Sequence, residues 1–186
     1  MGLVPGRQCG GCSVCCKVLP IDTAEIQKQA GVSCLHCARE GGCTIYETRP
    51  QICRAYYCGW MTMHDLGEDW RPDKSGVFIS APGAAIPAHF ENRNGLELLI
   101  GSPRVLEQKP FVDLVCILVA KRIPVFLAIP GPVAHFPANI LLNDDLADPV
   151  SRKDEAAIAA ILSAMLEELS RCTFAPVPMP PRSEQN

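Results

Sequence analysis

Four cysteines crowd into eight residues near the start of the chain, in the octapeptide Cys9-Gly-Gly-Cys-Ser-Val-Cys-Cys16. Five more follow before residue 60, so nine of the eleven cysteines lie in the first third of the sequence. Thiols spaced two or three residues apart are the ligands that zinc and iron-sulfur clusters require. The sequence therefore predicts a metal-binding lobe. Its predicted ligands are Cys9, Cys12, Cys15, Cys16, Cys34, Cys37, Cys43, Cys53 and Cys58.

The spacing inside the octapeptide suggests how these thiols converge. Cys12, Cys15 and Cys16 stand at positions i, i+3 and i+4, so a helix starting near residue 11 would place them on one face. The two glycines before Cys12 would let the backbone turn tightly around an ion. Free cysteine also serves as a small buried hydrophobe, but four at this spacing favour metal ligation over packing.

Charge and composition restrict the classes of function. The 186-residue chain is 48% hydrophobic and 20% charged, enough apolar content for a packed core. Residues 1–60 hold six basic and four acidic side chains, a local charge of +2, which leaves −5 for the rest given the net charge of −3. A basic surround would offset anionic thiolates. With no basic stripe interleaved with aromatic residues, nucleic-acid binding is not expected.

The sequence also predicts a cytoplasmic protein without a membrane span. Its first residues have neither the charged flank nor the apolar stretch of a secretory signal. The most apolar stretch, residues 111–129, is interrupted by charged residues and by Pro124. In a reducing compartment, eleven cysteines indicate metal binding rather than disulfides, and eleven is an odd number in any case.

The predicted fold class is α+β, in which a small metal-stapled helical lobe precedes a mixed α/β lobe. We expect a cysteine-rich metal-binding lobe at 1–60, a polar connector at 61–75, an α/β lobe at 76–172 and an extended proline-rich tail at 173–186.

Two capping boxes predict the helices of the first lobe. Asp22-Thr-Ala-Glu25 predicts a helix over 23–30, ended by Gly31. Thr48-Arg-Pro-Gln51 predicts a second helix over 49–60, with Cys53, Tyr57 and Trp60 on one face. Cys58 would lie about 140° around that helix from Cys53, so the two thiols would share one centre only if the helix ends between them. The aromatic residues here are expected to shield the site from water.

In the second lobe, the pattern predicts a βαβ unit. Strands are predicted at 77–81, 89–91, 96–100 and 125–129, and helices at 110–122 and from Ser151 to about residue 171. The strand at 96–100, the helix at 110–122 and the strand at 125–129 form the crossover. The loop at 130–137 follows the last of these strands, where α/β sheets place ligands, and it contains His135.

The segment Cys34-Leu-His-Cys37, followed by Cys43, forms a good half-site for zinc. His36 lies inside this knuckle, but enough thiols surround it that we expect a solvated side chain rather than a ligand. Cys116, inside a predicted helix, and Cys172, at a helix end, are isolated thiols and are predicted to be non-ligands.

The motifs together resemble the YkgJ-type cysteine cluster family. The resemblance rests on Cys-x-x-Cys-x-x-Cys-Cys from residue 9, Cys43-Thr-Ile-Tyr-Glu-x-Arg-Pro50, Cys53-Arg54 and Cys58. Trp60 and Arg71-Pro-Asp-Lys-Ser-Gly76 extend a weaker similarity into the second lobe. Proteins of that family are described as zinc- or iron-chelating, and often as iron-sulfur oxidoreductases without demonstrated chemistry. The resemblance implies Cys9, Cys12, Cys15, Cys16, Cys43, Cys53 and Cys58 as ligands, with Cys34 or Cys37, and implies no substrate.

Counting thiols constrains the centre. One four-thiolate site would leave five of the nine cysteines without a role, so two sites, or one polynuclear centre with bridging thiolates, fit better. The adjacent Cys15 and Cys16 favour this, because neighbouring side chains diverge. The metal is open between zinc and iron, since the first cysteines have ferredoxin-like spacing and Cys34-x-x-Cys37 resembles a zinc knuckle.

Two functions fit these features. In the first, the cluster holds zinc or iron for structure, storage or delivery, and the second lobe offers a surface to a protein partner. In the second, the protein is an iron-dependent or iron-sulfur oxidoreductase with an open metal position near 130–137. The absence of a Walker loop, Gly-x-Gly-x-x-Gly or His-Glu-x-x-His favours the first. Disulfide exchange ranks third, because the thiols are too many for a two-cysteine redox pair.

Overall fold

A four-stranded mixed sheet lies at the centre of the structure, a computed structural model that describes residues 2–90 and 93–178. Its strands are β3 (Val77–Ser80), β4 (Leu96–Ile100), β5 (Val125–Ile129) and β6 (Ala138–Leu141), in that spatial order. Strand β4 pairs in parallel with β5, and both outer pairs are antiparallel. The α+β fold class is therefore confirmed.

The predicted βαβ unit is confirmed as β4, helix α5 (Lys109–Ala120) and β5. Strands β4 and β5 have the predicted bounds, since both are short apolar runs between turn-forming residues, as buried strands are. Helices α5, α6 (Asn143–Arg152) and α7 (Glu155–Ser170) pack with the sheet into one apolar core.

Two predictions in this lobe were wrong, and two elements were missed. Residues 88–90 form a 3₁₀ turn instead of a strand at 89–91, whose last residue, Glu91, lies outside the described residues. Ser151 lies inside α6, and the cap of α7 is Asp154, whose carboxylate accepts a hydrogen bond from the Ala157 amide at 3.0 Å. Strand β6 and helix α6 were not predicted. Helix α6 is polar overall and contains Pro149, a residue that usually argues against a helix interior. Tertiary contacts such as that of the Asn143 side chain with the Val125 amide (2.8 Å) hold its start.

The first lobe is built from short elements around its cysteines. They are α1 (Val14–Val18), β1 (Ile21–Asp22), β2 (Gln27–Lys28), α2 (Gln51–Ala55) and α3 (Gly59–Thr62). The helix predicted over 23–30 is wrong, because β1 and β2 form an antiparallel hairpin there. Thr23 closes its turn, accepting from the Ile26 amide at 3.2 Å, and Ile26 is buried.

The helix predicted over 49–60 is wrong as a single element. Helix α2 ends at Ala55, Tyr56 has extended backbone, and α3 begins after Cys58. Pro50 stands at the N-cap of α2 without a side-chain cap, so the predicted capping box does not form. Trp60 and Met61 are buried in the main core, and this burial directs the chain away from a continuous helix.

The chain on both sides of the cysteines is tied to the core of the second lobe. In the predicted connector, 61–75, Met61 and Leu66 are buried in that core. The guanidinium of Arg7 donates to the carbonyls of Trp60, Met63 (2.9 Å) and Leu66. The first lobe is thus anchored on the sheet by buried contacts.

The loop at 130–137 contacts both the first lobe and the C-terminal segment. The Ala134 amide donates to the Ala30 carbonyl at 3.0 Å, and the Phe136 amide to the Ala175 carbonyl at 2.9 Å. The remainder of the predicted tail, 179–186, lies outside the described residues. None of the helices in the described residues combines the length and the apolar character that a membrane span requires.

Candidate metal centre

Seven of the nine predicted ligands line one cavity of about 380 Å³ in the first lobe. They come from four separate parts of the chain, the octapeptide, the knuckle at 34–37, the turn before Cys43 and helix α2. These seven are Cys9, Cys12, Cys15, Cys16, Cys34, Cys43 and Cys53. Convergence of distant thiols on one space is what a metal centre requires.

Helix α1 begins later than predicted. It starts at Val14, so Cys15 and Cys16 are helical while Cys12 lies in the turn before it. The Cys12 amide donates to the Cys9 carbonyl at 2.8 Å, closing that turn. The prediction of a common helix face for Cys12, Cys15 and Cys16 is therefore wrong, although all three line the same cavity.

Two glycine pairs bring the early and middle cysteines together. A Cβ atom on Gly41 would stand 2.2 Å from the Gly11 carbonyl oxygen, and one on Gly42 would stand 2.8 Å from that of Gly10. Both Gly41 and Gly42 have left-handed backbone, with φ of +92° and +87°. Backbone therefore packs directly on backbone at this point, and Cys43 is held beside the turn that carries Cys9 and Cys12.

Two hydrogen bonds close the turn from Cys34 to Cys37, the predicted zinc knuckle. The Cys37 amide donates to the Cys34 carbonyl at 3.0 Å, and the His36 amide donates to the Cys34 sulfur at 3.4 Å. The backbones of Cys37 and Cys43 pair in an isolated antiparallel β-bridge. The Cys34 amide donates to the Cys16 carbonyl at 3.0 Å. Amide donors to sulfur stabilise a thiolate, so the knuckle is prepared for ligation.

Cys53 and Cys58 lie on different sides of the cluster because α2 ends between them. Cys53 faces the large cavity, and burial raises the pKa of its thiol, as do the neighbouring thiols of Cys16, Cys34 and Cys43. Cys58 instead lines a second, smaller cavity against the sheet. Burial raises the pKa of Cys58, whereas hydrogen bonds from the amides of Met61 and Trp60 lower it.

Lys28 is a buried cation beside the thiols that sequence reasoning did not single out. Its side chain is 7% exposed, and its ammonium donates to the carbonyls of Leu19, Gln29 (3.1 Å) and Lys17 (3.4 Å). Burial lowers the pKa of Lys28, while the nearby thiols of Cys34 and Cys16, when ionised, raise it. A fixed positive charge here would offset the charge of thiolate ligands.

Cys12 meets a carboxylate from the segment predicted as the connector, 61–75. Burial raises the pKa of the Cys12 thiol to about 11, the amide of Val14 lowers it, and the charge of Asp73 raises it. Asp73 is itself held by Arg71 through two hydrogen bonds of 2.7 and 2.8 Å. This pair lies in the motif at 71–76, which is where the family resemblance extended beyond the cysteines.

Three tyrosines line the large cavity, Tyr46, Tyr56 and Tyr57. Tyr56 stacks on Phe78 with ring centroids 6.2 Å apart. Within the described residues the buried Tyr56 hydroxyl has no hydrogen-bond partner. A buried unpaired donor is costly, so this hydroxyl marks a place where an acceptor such as a thiolate fits. At the opposite wall, the Arg49 guanidinium lies 3.9 Å from the Tyr46 ring centroid.

The side-chain positions do not themselves enclose an ion. In residues 2–90 and 93–178, no group of three His, Cys, Asp or Glu side chains is arranged so that it could hold a metal. The eleven cysteines, all within those ranges, are free thiols. A thiol moves between three staggered rotamers by turning about one bond, and the cavity leaves room for this. The donor set and the orphaned hydroxyl suit a thiolate-bound metal, and ligation requires rotamer changes.

The remaining candidate residues of the sequence analysis are two histidines and two cysteines. His36 lines the large cavity, whereas the ring of His135 contacts the Val133 carbonyl (3.0 Å) on the exposed loop at 130–137. Cys116 lies on α5, and the Cys172 thiol is exposed. Neither residue is among those that line the large cavity, and their role as non-ligands stays a prediction.

The chain was compared with protein-family profiles, with curated proteins and with solved structures, and none of the three comparisons produced a match. Its function therefore has to be argued from the site itself.

Proposed function

We propose that the protein binds zinc or iron through the nine clustered cysteines of its first lobe, in a site that holds more than one metal atom. The observation that carries the proposal is the convergence of seven thiols, from four parts of the chain, on one cavity. A chain brings distant thiols together in this way either for disulfides or for a metal, and these thiols are free.

The surroundings support charge compensation for several thiolates. Lys28 is buried beside Cys16 and Cys34, and Arg49 lines the cavity. The amide of His36 already donates to the Cys34 sulfur. Fixed positive charge and amide donors lower the free energy of thiolates, and hence strengthen metal binding at neutral pH. Bound metal would then supply folding energy to a lobe whose helices are only four or five residues long.

A second candidate is an oxidoreductase whose iron or iron-sulfur centre is open to a substrate. The volume of the large cavity favours it, because about 380 Å³ lies in the range of small-molecule sites. Its walls are largely apolar, with Ile21, Ile45 and Ile52 beside the tyrosines. Such a site would take a small apolar molecule next to the metal.

Metal analysis of protein purified without oxygen tests the proposal. We expect at least two metal atoms per chain. The protein should be colourless if the metal is zinc, and brown with acid-labile sulfide if it holds an iron-sulfur cluster. In Cys16→Ser we expect metal content and melting temperature to fall, and in the matched control Cys116→Ser we expect neither to change. Wild-type protein without bound metal would refute the proposal. A metal with a water or vacant position in place of a fourth protein ligand would favour the oxidoreductase.

A further inference from the structure

Eight of the nine thiols border two cavities, and Cys37 lines neither of them. The second cavity is lined by Cys9, Cys12, Cys15 and Cys58, and also by Tyr56, Tyr57, Trp60, Met61, Pro72 and Phe78. Its volume is about 20 Å³, room for one guest the size of a water molecule or an ion. Four thiols around a space of this size are the donor set of a closed, mononuclear, tetrahedral site.

This inner cavity is bounded by Met61 and Pro72 of the segment predicted as the connector and by Phe78 of strand β3. Cys58 packs against both apolar clusters of the fold, one containing Trp60 and the other containing Phe78, and Cys9 packs against the first cluster and Cys15 against the second. Cys12 meets Asp73 of helix α4 (Pro72–Ser75). Cys9, Cys12 and Cys15 line both cavities, whereas Cys58 lines the inner one and not the large one. The inner cavity therefore lies where the octapeptide packs on the segment around Trp60 and on strand β3.

The inner site also has a polar group that lacks a partner. The Tyr56 hydroxyl is buried and unpaired in the described residues, and its ring lines both cavities. Cys15 and Cys58 line the inner cavity together with the Tyr56 ring, so their sulfurs border the same space. A metal-bound thiolate accepts hydrogen bonds better than a thiol, and one of these sulfurs would satisfy the hydroxyl.

The other five thiols form a distinct outer group. Cys53 has Cys16, Cys34 and Cys43 as its thiol neighbours, and Cys37 lies beside Cys16. Cys15 and Cys16 are the junction, since the two adjacent thiols are in contact and belong to different groups. The adjacency of these two residues thus lets one helix supply ligands to two neighbouring sites.

We propose that Cys9, Cys12, Cys15 and Cys58 form a separate four-thiolate site for a single zinc-type divalent ion at the inner cavity, and that the other five cysteines, four of which line the large cavity, form an outer centre. The proposal rests on the proposed function, since both sites require that the cluster binds metal. The inner ion would join the octapeptide to the segment that enters the core at Trp60. Its role is to fix the first lobe on the sheet, while the outer centre remains accessible.

Matched variants test the division. Zinc content and anaerobic Co²⁺ titrations would be compared in wild type, Cys58→Ser and Cys53→Ser. We expect Cys58→Ser to lose the inner site and retain the outer centre, and Cys53→Ser to do the reverse. A variant that carries both substitutions should lose both sites. Cys58→His and Cys53→His retain a metal-binding side chain and so protect folding. Each should alter the Co²⁺–thiolate absorption of its own site only, and Cys58→His should affect the class that a chelator removes last.

The outcomes separate the two proposals. Wild-type protein that binds no metal would refute the proposed function itself. Metal-binding protein in which the Cys58 and Cys53 variants weaken the same class of site would overturn the division and indicate one shared polynuclear centre. Cys58→His with an unchanged Co²⁺ spectrum would exclude Cys58 as a ligand. Even if Cys58→Ser fails to fold, the histidine pair decides the question.

Discussion

Replacing Gly41 by alanine should separate the two turns on which the cysteine cluster depends. The added Cβ would stand 2.2 Å from the Gly11 carbonyl oxygen, where Cβ atoms essentially never approach within 3.0 Å, so the turns must move apart by most of an ångström. The left-handed backbone at Gly41 adds roughly 1–2 kcal/mol of strain for a side chain. The steric overlap adds about 1–3 kcal/mol. The total loss is about 2–5 kcal/mol.

The loss should appear in metal binding, because metal–sulfur distances tolerate only about 0.2 Å. If folding of the lobe and metal binding are one process, 2–5 kcal/mol corresponds to roughly 30-fold to 4,000-fold weaker affinity. Zinc affinity would be measured by competition with a colorimetric chelator. Gly6→Ala is the matched control, since Gly6 also has positive φ (+80°) but has nothing within 4 Å of an added Cβ. Equal zinc affinity in the two variants would refute the reasoning.

Three further changes test the surroundings of the cluster. Gly59→Ala would place a Cβ 2.5 Å from a side-chain carbon of strand β3, so it should lower the free energy of unfolding, measured in urea, by about 1–3 kcal/mol. In the control Gly67→Ala the added Cβ lies in open space, and the free energy of unfolding should change by less than about 0.5 kcal/mol. Tyr56→Phe removes the donor available to a thiolate, and zinc should bind about tenfold more weakly; unchanged affinity would show that the hydroxyl stays unpaired. Burial raises the pKa of Glu97 above its ordinary value of 4.5, so wild type should lose stability relative to Glu97→Gln as pH rises from about 4.5 through the raised pKa. A pH-independent difference in unfolding free energy between those two proteins would contradict the last prediction.

Sequence patterns predicted an element correctly where the segment has a regular apolar pattern of its own or is buried within the sheet. Strands 96–100 and 125–129 are apolar runs bounded by turn residues, and they form at the predicted bounds. Helix α7 falls within the helix predicted from Ser151 to about residue 171, and Ile158, Leu162, Met165 and Leu169 are buried, whereas Ile161 is half-buried. The predicted helices at 23–30 and 49–60 failed because a short capping signal is worth only about 1 kcal/mol, less than the burial of Ile26 or Trp60 contributes.

By itself, the sequence determined the chemistry available to this protein, since nine thiols within 50 residues are suited to soft metals wherever the backbone carries them. It also identified three of the four strands of the central sheet, β3, β4 and β5. The tertiary structure alone decided which thiols line which cavity. Helix α2 stops at Ala55, α3 packs on β3 through Gly59, and Cys58 is thereby placed against the core and away from Cys53. These contacts join residues far apart in the chain, and no local pattern records them, because long-range burial outweighs helix propensity in elements of four or five residues.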